Sequence, residues 1–222
     1  MRILFDEHLT RDDHLLEAIV GAILDLKKAL RPQIEISVHV QAEDMDDPKA
    51  DLDEILHNNQ IDFWILGREN IFKRPGMVFE AVYTDPFVLN ISTNHPLYRP
   101  NLSIEDLPEI INNTTLYMLQ NRACYVNEVL LSIAKDLTPY YQFSTSADEV
   151  CMYVALGMGV SIIPCRTDTA VRNSEIRSIL LPNTSFYTLA GYSEENDNPL
   201  LPMLLHYLKK HIEAYEKDTE NN

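Results

Sequence analysis

The chain has 222 residues, 45% of them hydrophobic, and a formal net charge of −16. That length allows one large or two small domains with a sizeable core, and a surface so acidic repels a phosphate backbone, which argues against direct DNA or RNA binding. No apolar run approaches the roughly 20 residues that span a bilayer and Met1 to His8 has no apolar signal core, so a cytoplasmic protein without membrane contact is expected.

Taken in order, the chain opens with a short apolar strand, Arg2 to Phe5, and a polar loop, Asp6 to Thr10. Thr10 is placed to cap a helix whose first turn holds Asp12 and Asp13. Leu15, Ile19, Ile23, Leu26 and Leu30 draw one apolar stripe along it, and Leu16, Val20 and Leu24 a second. One stripe is enough to cover a sheet. The second either meets a partner chain or is buried on another side of its own domain. Pro32 stops the helix. Ile34 to Val40 alternates apolar and polar residues as a half-buried strand. An acidic loop runs from Gln41 to Asp47, Asp47-Pro48 opens a helix to about His57, and Ile61 to Leu66 is a third strand closed by Gly67. The order β-α-β-α-β predicts a parallel sheet covered by helices.

Met77 to Tyr83 and Phe87 to Ile91 are then two strands separated only by Thr84-Asp85-Pro86, where a second unit begins. Ser103 to Asp106 is an S-x-x-D helix start. Thr115 to Leu119 is a strand, and Gln120-Asn121-Arg122 turns into a helix with Val126, Val129, Leu130 and Ile133 on one face. Tyr140 to Phe143 is a strand. Ser146 and Glu149 form an S-x-x-E capping box for the next helix. Gly157 sits where a left-handed residue ends that helix. Gly159 allows close backbone approach, and Val160 to Ile163 is an apolar strand closed by Pro164. A short helix is expected at Thr167 to Arg172, strands at Ile176 to Leu181 and Phe186 to Tyr192, and a terminal helix from Pro199 to Tyr215. Its inward residues are Leu201, Leu205 or Leu204, Leu208, Ile212 and Tyr215. If the last two strands return to the first unit, the chain crosses twice, giving lobe I (1–83 plus 184–222), lobe II (84–183) and a cleft between them.

Three segments, in order, resemble the effector-binding domain of LysR-type transcriptional regulators. They are Ile61-Asp62-Phe63-Trp64-Ile65-Leu66-Gly67; Phe87-Val88-Leu89 followed by His95-Pro96-Leu97 and Leu102-Ser103-Ile104-Glu105-Asp106-Leu107; and the serine/threonine, helix, G-x-G, apolar strand and Pro run from Ser144 to Pro164. The resemblance implies an α/β fold of the type 2 periplasmic-binding-protein kind, with two Rossmann-like lobes, two crossovers and an effector in the interlobe cleft. It also implies homodimers or tetramers made side by side. The family's winged helix-turn-helix, which should precede Arg2, is expected in a separate part of the protein. DNA binding would belong there, in keeping with the acidity of this part.

By the same resemblance, the effector contacts are Glu7, His8, Thr10, Gln41, Arg68, Thr84, Gln120, Arg122, Ser144, Thr145 and Ser146, at the cleft ends of strands. Helix N-termini and free loop N–H groups at such places bind carboxylates and hydroxyls. Thr10 and Ser146 read equally as plain N-caps, and Arg11, Arg68 and Arg122 as carboxylate clamps or as surface arginines. The loop Asp6-Glu7-His8 disfavours an acid effector and suits an amine or a cation. Asp6, His8 and His14 match no strong metal motif, and Cys124, Cys151 and Cys165 form neither a CxxC pair nor a disulfide framework, so no metal or cofactor is expected. Cys124, at a helix start where a thiolate is stabilised, is either a small, partly buried residue or a redox centre like that of the family's peroxide sensors. In the latter case it would lack a nearby resolving cysteine. No Ser/His/Asp or Cys/His set has catalytic spacing, so a regulatory rather than enzymatic role is expected. A rival is a solute-binding protein of this fold serving a transporter, which would carry an exported leader or lipid anchor. The expected dimer sets Leu16, Val20 and Leu24 of one chain against the helix containing Val126 and Val129 of another.

Overall fold

A computed structural model of the chain describes residues 1–6, 13–30, 35–41, 61–67, 75–119, 123–133, 137–165 and 175–220. In chain order it forms β1 (Arg2–Asp6), α1 (Asp13–Leu30), β2 (Ser37–Gln41), β3 (Phe63–Gly67), β4 (Met77–Ser92), a 3-10 turn (Ile104–Asp106), α2 (Leu107–Asn112) and β5 (Thr115–Leu119). Then come α3 (Ala123–Ile133), β6 (Tyr140–Ser144), α4 (Ala147–Ala155), β7 (Val160–Pro164), β8 (Ile176–Ser193) and α5 (Leu201–Glu220). The helices expected after Asp47-Pro48 and at Thr167 to Arg172 lie outside the described residues. The chain divides into two units, Met1–Thr84 with Tyr187–Asn222, and Asp85–Phe186.

In the first unit β1 lies parallel between β2 and β3, and β3 pairs antiparallel with β8. Strand alternation sorts the core into two layers. Ile3, Phe63, Ile65 and Ala190 share one face of this sheet, and Leu4, Trp64 and Leu189 cluster on the other with Ile61, Phe79 and Tyr187. Asp62 pins β1 to β3: its carboxylate accepts the Arg2 N–H at 2.7 Å, and its carbonyl accepts Asn196 Nδ2 at 2.6 Å. Helix α1 buries Leu15, Ala18, Ile19, Ala22 and Leu26, at helical spacing, and packs on α5, whose buried residues are Leu201, Leu204, Leu208 and Ile212. The choice between Leu204 and Leu205 thus falls to Leu204. Leu16, Val20 and Leu24 stay 38%, 47% and 49% exposed, so the second stripe of α1 is not buried within its own domain.

The second unit has the strand order β4-β7-β5-β6, with β5 parallel to β6 and β7 and β7 antiparallel to β4. Phe87, Leu89, Ile91, Leu116, Val160 and Ile162 are buried across it, together with Leu107, Ile110 and Ile111 of α2 and Val150 and Val154 of α4. Val126 and Val129 of α3 are 2% and 6% exposed. They belong to this core with Leu130, so the apolar face expected on this helix is its buried one.

Two further expectations change. Met77 to Ile91 is not two strands parted by a turn at Thr84-Asp85-Pro86 but one strand, Met77–Ser92. A proline has no N–H to give, yet its fixed φ suits extended backbone, and the Pro86 carbonyl still accepts the Cys165 N–H at 2.8 Å. Likewise Ile176–Ser193 is one strand. Asn183 takes φ 58° within it while Thr184 Oγ1 donates to the Leu181 carbonyl at 2.7 Å, so the polar stretch is a kink inside a strand rather than its end. Gly159 does what its sequence setting requires. A Cβ there would lie 2.3 Å from the Thr115 carbonyl oxygen and 2.7 Å from the Tyr117 ring. Replacing Gly159 by Ala is expected to cost roughly 1–3 kcal/mol, the usual penalty for overpacking, read as a lowered urea midpoint at unchanged slope.

Candidate functional site

Helix α4 is the best-defined of the expected contact elements. Ser146 caps it with extended backbone (φ −120°, ψ 127°), its Oγ accepting the Glu149 N–H at 3.4 Å. The return half of the expected capping box is not formed. The Ser146 N–H is donated instead to Ser144 Oγ at 3.0 Å, which frees the Glu149 carboxylate to turn elsewhere. It accepts from the Ser144 hydroxyl through Oε2 and from the Tyr153 hydroxyl through Oε1 at 2.8 Å. Ser144 Oγ also lies 3.1 Å from the Ser146 carbonyl. A hydroxyl has one proton, and an anionic acceptor outcompetes a neutral one, so Ser144 gives its proton to Glu149 and takes one from Ser146. Tyr153, one turn on from Glu149, stacks on the buried Tyr117 with ring centroids 4.6 Å apart.

The electrostatic outcome follows from these bonds. The Ser144 hydroxyl, then that of Tyr153, holds the Glu149 carboxyl below its ordinary value of 4.5. The same bond to Glu149 lifts the Tyr153 phenol above its ordinary 10.0. At neutral pH the first turn of α4 therefore carries a fixed carboxylate, next to the exposed Asp148. In the sequence Glu149 reads as half of the capping box. The signal that pairs it with Tyr153 is their four-residue spacing on one helical face.

The other end of α4 is locked by the second signature segment. Gly157 (φ +72°) donates to the Val154 carbonyl at 2.9 Å and Met158 to the Tyr153 carbonyl at 3.0 Å, a Schellman ending. Ser92 Oγ donates to the Ala155 carbonyl at 3.1 Å and accepts the Asn94 N–H at 3.2 Å. A Cβ on Gly157 would meet the Asn94 carbonyl at 3.2 Å. Next in the chain, the buried His95 accepts the Leu97 N–H at Nδ1 (3.1 Å), which leaves its proton on Nε2 to donate to Thr114 Oγ1 at 2.9 Å. Asp106 accepts the Ser103 N–H at 2.9 Å and the Arg99 guanidinium at 2.7 Å, while Leu107 is fully buried. His95, Asp106 and Leu107 thus hold the backbone of this segment in place.

Of the expected contacts, Ser144 is buried, Ser146 half-buried and Thr145 exposed, all at the α4 end of β6, and Thr84 is an exposed residue of β4. Gln41 ends β2, and its side chain is not described. Glu7, His8, Thr10, Arg11, Arg68, Gln120 and Arg122 lie outside the described residues, and Cys124 is on α3 with an undescribed side chain. Among the described residues no three His, Cys, Asp or Glu side chains converge as a metal site.

The model of the LysR substrate binding domain family matches residues 13–212. The fold is similar to that of the effector-binding domain of a BenM variant, with a TM-score of 0.73 at 18% identity over 98% of this chain and 95% of that one. A BenM effector-binding domain holding its effector benzoate gives 0.72 at 16% identity over 98% and 93%. The regulatory domain of MetR, a LysR family regulator from N. meningitidis, gives 0.65 at 19% identity over 96% and 94%. Among curated proteins no sequence matches significantly.

His95 sets an acid limit on this architecture. Burial lowers its pKa from 6.5, so the fold prefers the neutral ring. Its contribution is full above about pH 6.5 and is lost as pH falls through the lowered value, because the unfolded chain then binds the extra proton. Thermal melts between pH 7.5 and 5 are expected to lose stability on this account, and His95→Gln to show a shallower acid slope than the wild type.

Proposed function

Because the chain belongs to the LysR substrate binding domain family, we propose that it is the effector-sensing regulatory domain of a LysR-type transcriptional regulator, with a small polar metabolite as its effector and DNA held by a separate N-terminal domain. The observation that carries this reading is the family match over residues 13–212, joined to a capped helix whose N-terminal end gathers Ser144, Thr145 and Ser146. Effector contacts there are joined in the proposal by Glu7, His8, Thr10, Gln41, Arg68, Thr84, Gln120 and Arg122. The anionic Glu149 has the sign of the Asp6-Glu7 loop, and both favour an amine, a cation or a neutral hydroxyl compound over an acid. Binding would shift the population of regulatory states rather than transform the molecule. A cytoplasmic location belongs to the same reading. It accords with the finding that no described helix is long and apolar enough to cross a membrane.

A thermal-shift screen of small polar metabolites tests it. A ligand at 100 times its Kd raises stability by about 2.7 kcal/mol. Ser144→Ala and Thr145→Ala are expected to weaken a true effector about tenfold, roughly 1.4 kcal/mol. Equal binding by both variants and the wild type would move the site elsewhere.

Self-association is the second part of the proposal. The exposed Leu16, Val20 and Leu24 of α1 are its surface, opposite the outward residues of α3, Asn127, Glu128 and Leu131, in a partner copy. Leu16→Glu with Val20→Glu should sediment as a monomer at concentrations where the wild type is a dimer or tetramer. A wild type that is monomeric throughout contradicts this part.

A further inference from the structure

The kink in β8 helps to enclose a cavity. Pro182 and Asn183 line a space of about 340 Å³ together with Ile104, Glu105 and Pro108 from the 3-10 turn and α2, and Ser132 and Ile133 from the end of α3. All of them belong to the second unit, and none is among the effector contacts proposed above. The volume lies at the small end of ligand pockets, which run from roughly 300 to 1,000 Å³. Ile104, Pro108, Ile133 and Pro182 supply apolar walls. The polar groups are acceptors or can act as such. Ser132 Oγ gives its proton to the Val129 carbonyl at 2.6 Å, which leaves only lone pairs. The Glu105 carboxylate accepts the Ser103 hydroxyl at 2.5 Å, a bond that holds its carboxyl below the ordinary 4.5. Arg99 goes to the neighbouring Asp106 and Glu109, at 2.7 and 2.8 Å, so among the described residues no cation pairs with Glu105. Asn183 has φ 58°, a conformation that glycine adopts without strain. The position holds instead a carboxamide that forms no hydrogen bond among the described residues.

The field in the cavity has one sign. Helix α3 presents its negative, C-terminal end there, with no basic side chain in its last turn. The N–H groups of the neighbouring 3-10 turn are in use. Asp106 donates to the Ser103 carbonyl at 3.2 Å and Leu107 to the Ile104 carbonyl, while Pro108 has no N–H. The next charged residues after α3, Lys135 and Asp136, lie outside the described residues and sum to zero. An anion would meet Glu105 and a single donor group, the Asn183 amide. An ammonium would meet three acceptors, with apolar walls for its stem. We propose that this cavity is a binding site for a small primary amine with a short alkyl body, its ammonium held by Glu105, Asn183 and Ser132. The site is separate from Ser144 to Ser146 and does not depend on the effector reading.

The test is an NMR titration of the full chain with n-butylammonium chloride, protonated at neutral pH like a lysine side chain. Sodium n-butyrate and 1-butanol at matched ionic strength are the charge-reversed and neutral controls. The ammonium is expected to give saturable amide shifts at residues 104–105, 132–133 and 183–184, and butyrate none there. Glu105→Gln should weaken the ammonium about five- to tenfold, between the effect of an exposed ion pair and that of a bond to a charged group. Asn183→Gly should weaken it about twofold or more with a melting temperature unchanged or raised, because glycine suits φ 58°. That split between binding and stability is one a purely structural Asn183 would not show. Equal binding of butyrate, shifts centred on Ser144 to Ser146 instead, or an affinity that neither substitution lowers would each overturn the proposal.

Discussion

The α4 helix is nine residues long, so fixing its last turn also fixes its first. That last turn is held by backbone geometry more than by side-chain volume. Gly157 takes a left-handed conformation that ordinary residues pay to adopt, and its missing side chain lets the Asn94-His95 backbone come within contact. Ser92 then joins the end of β4 to the end of α4 through a single hydroxyl. His95, neutral and buried, keeps the chain turning away from the helix instead of through it. Segments 63 residues apart, as Ser92 and Ala155 are, become one junction. The two motifs that most resemble the family are therefore the two sides of a single mechanical joint, and the orientation of Ser144 to Ser146 depends on it.

At the other end of the helix, electrostatics are set by which hydroxyl reaches which oxygen. A carboxylate in the first turn is stabilised by the helix dipole, and a capping box would have spent it on the Ser146 N–H. Ser144 takes that N–H instead, and Glu149 becomes a carboxylate backed by two hydroxyl donors. This turns a structural acid into a local determinant of charge. An incoming carboxylate would have to outbid Glu149 for the same positive end, with Asp148 beside it. A donor-rich molecule meets no such competition.

Much of this was legible in the sequence because it rests on local rules. The helix stop at Gly157, the close approach at Gly159 and the cap at Ser146 each follow from what one residue type can or cannot do. The apolar spacing of α5 also pointed to Leu201, Leu208 and Ile212. What the sequence left open depends on partners distant in the chain. Thr84-Asp85-Pro86 has turn chemistry, yet it lies within β4, with the Pro86 carbonyl bonded to the Cys165 N–H and Phe87 to Ile91 paired with β7. Val126 and Val129 have the same pattern whether they face their own sheet or another chain, and only packing shows that they face their own. Glu149 had two acceptable partners in reach, and the choice was made by Ser144, five residues before it.

The exposed stripe of α1 shows how charge and area decide an association together. A chain of net charge −16 repels its copies at long range, so contact must be driven by apolar burial at short range. A stable interface buries about 800 Å² on each partner, more than three half-exposed side chains supply. One patch of Leu16, Val20 and Leu24 is therefore too small alone. A two-fold axis removes the difficulty, because each chain then offers both an α1 face and an α3 face and every contact occurs twice. Leu131, 65% exposed on α3, gives that proposed second face its apolar centre, while Val126 and Val129 are buried. The proposed dimer thus requires two reciprocal contacts of moderate size rather than a single α1 seam, and the acidic remainder of the surface limits how far such association can spread.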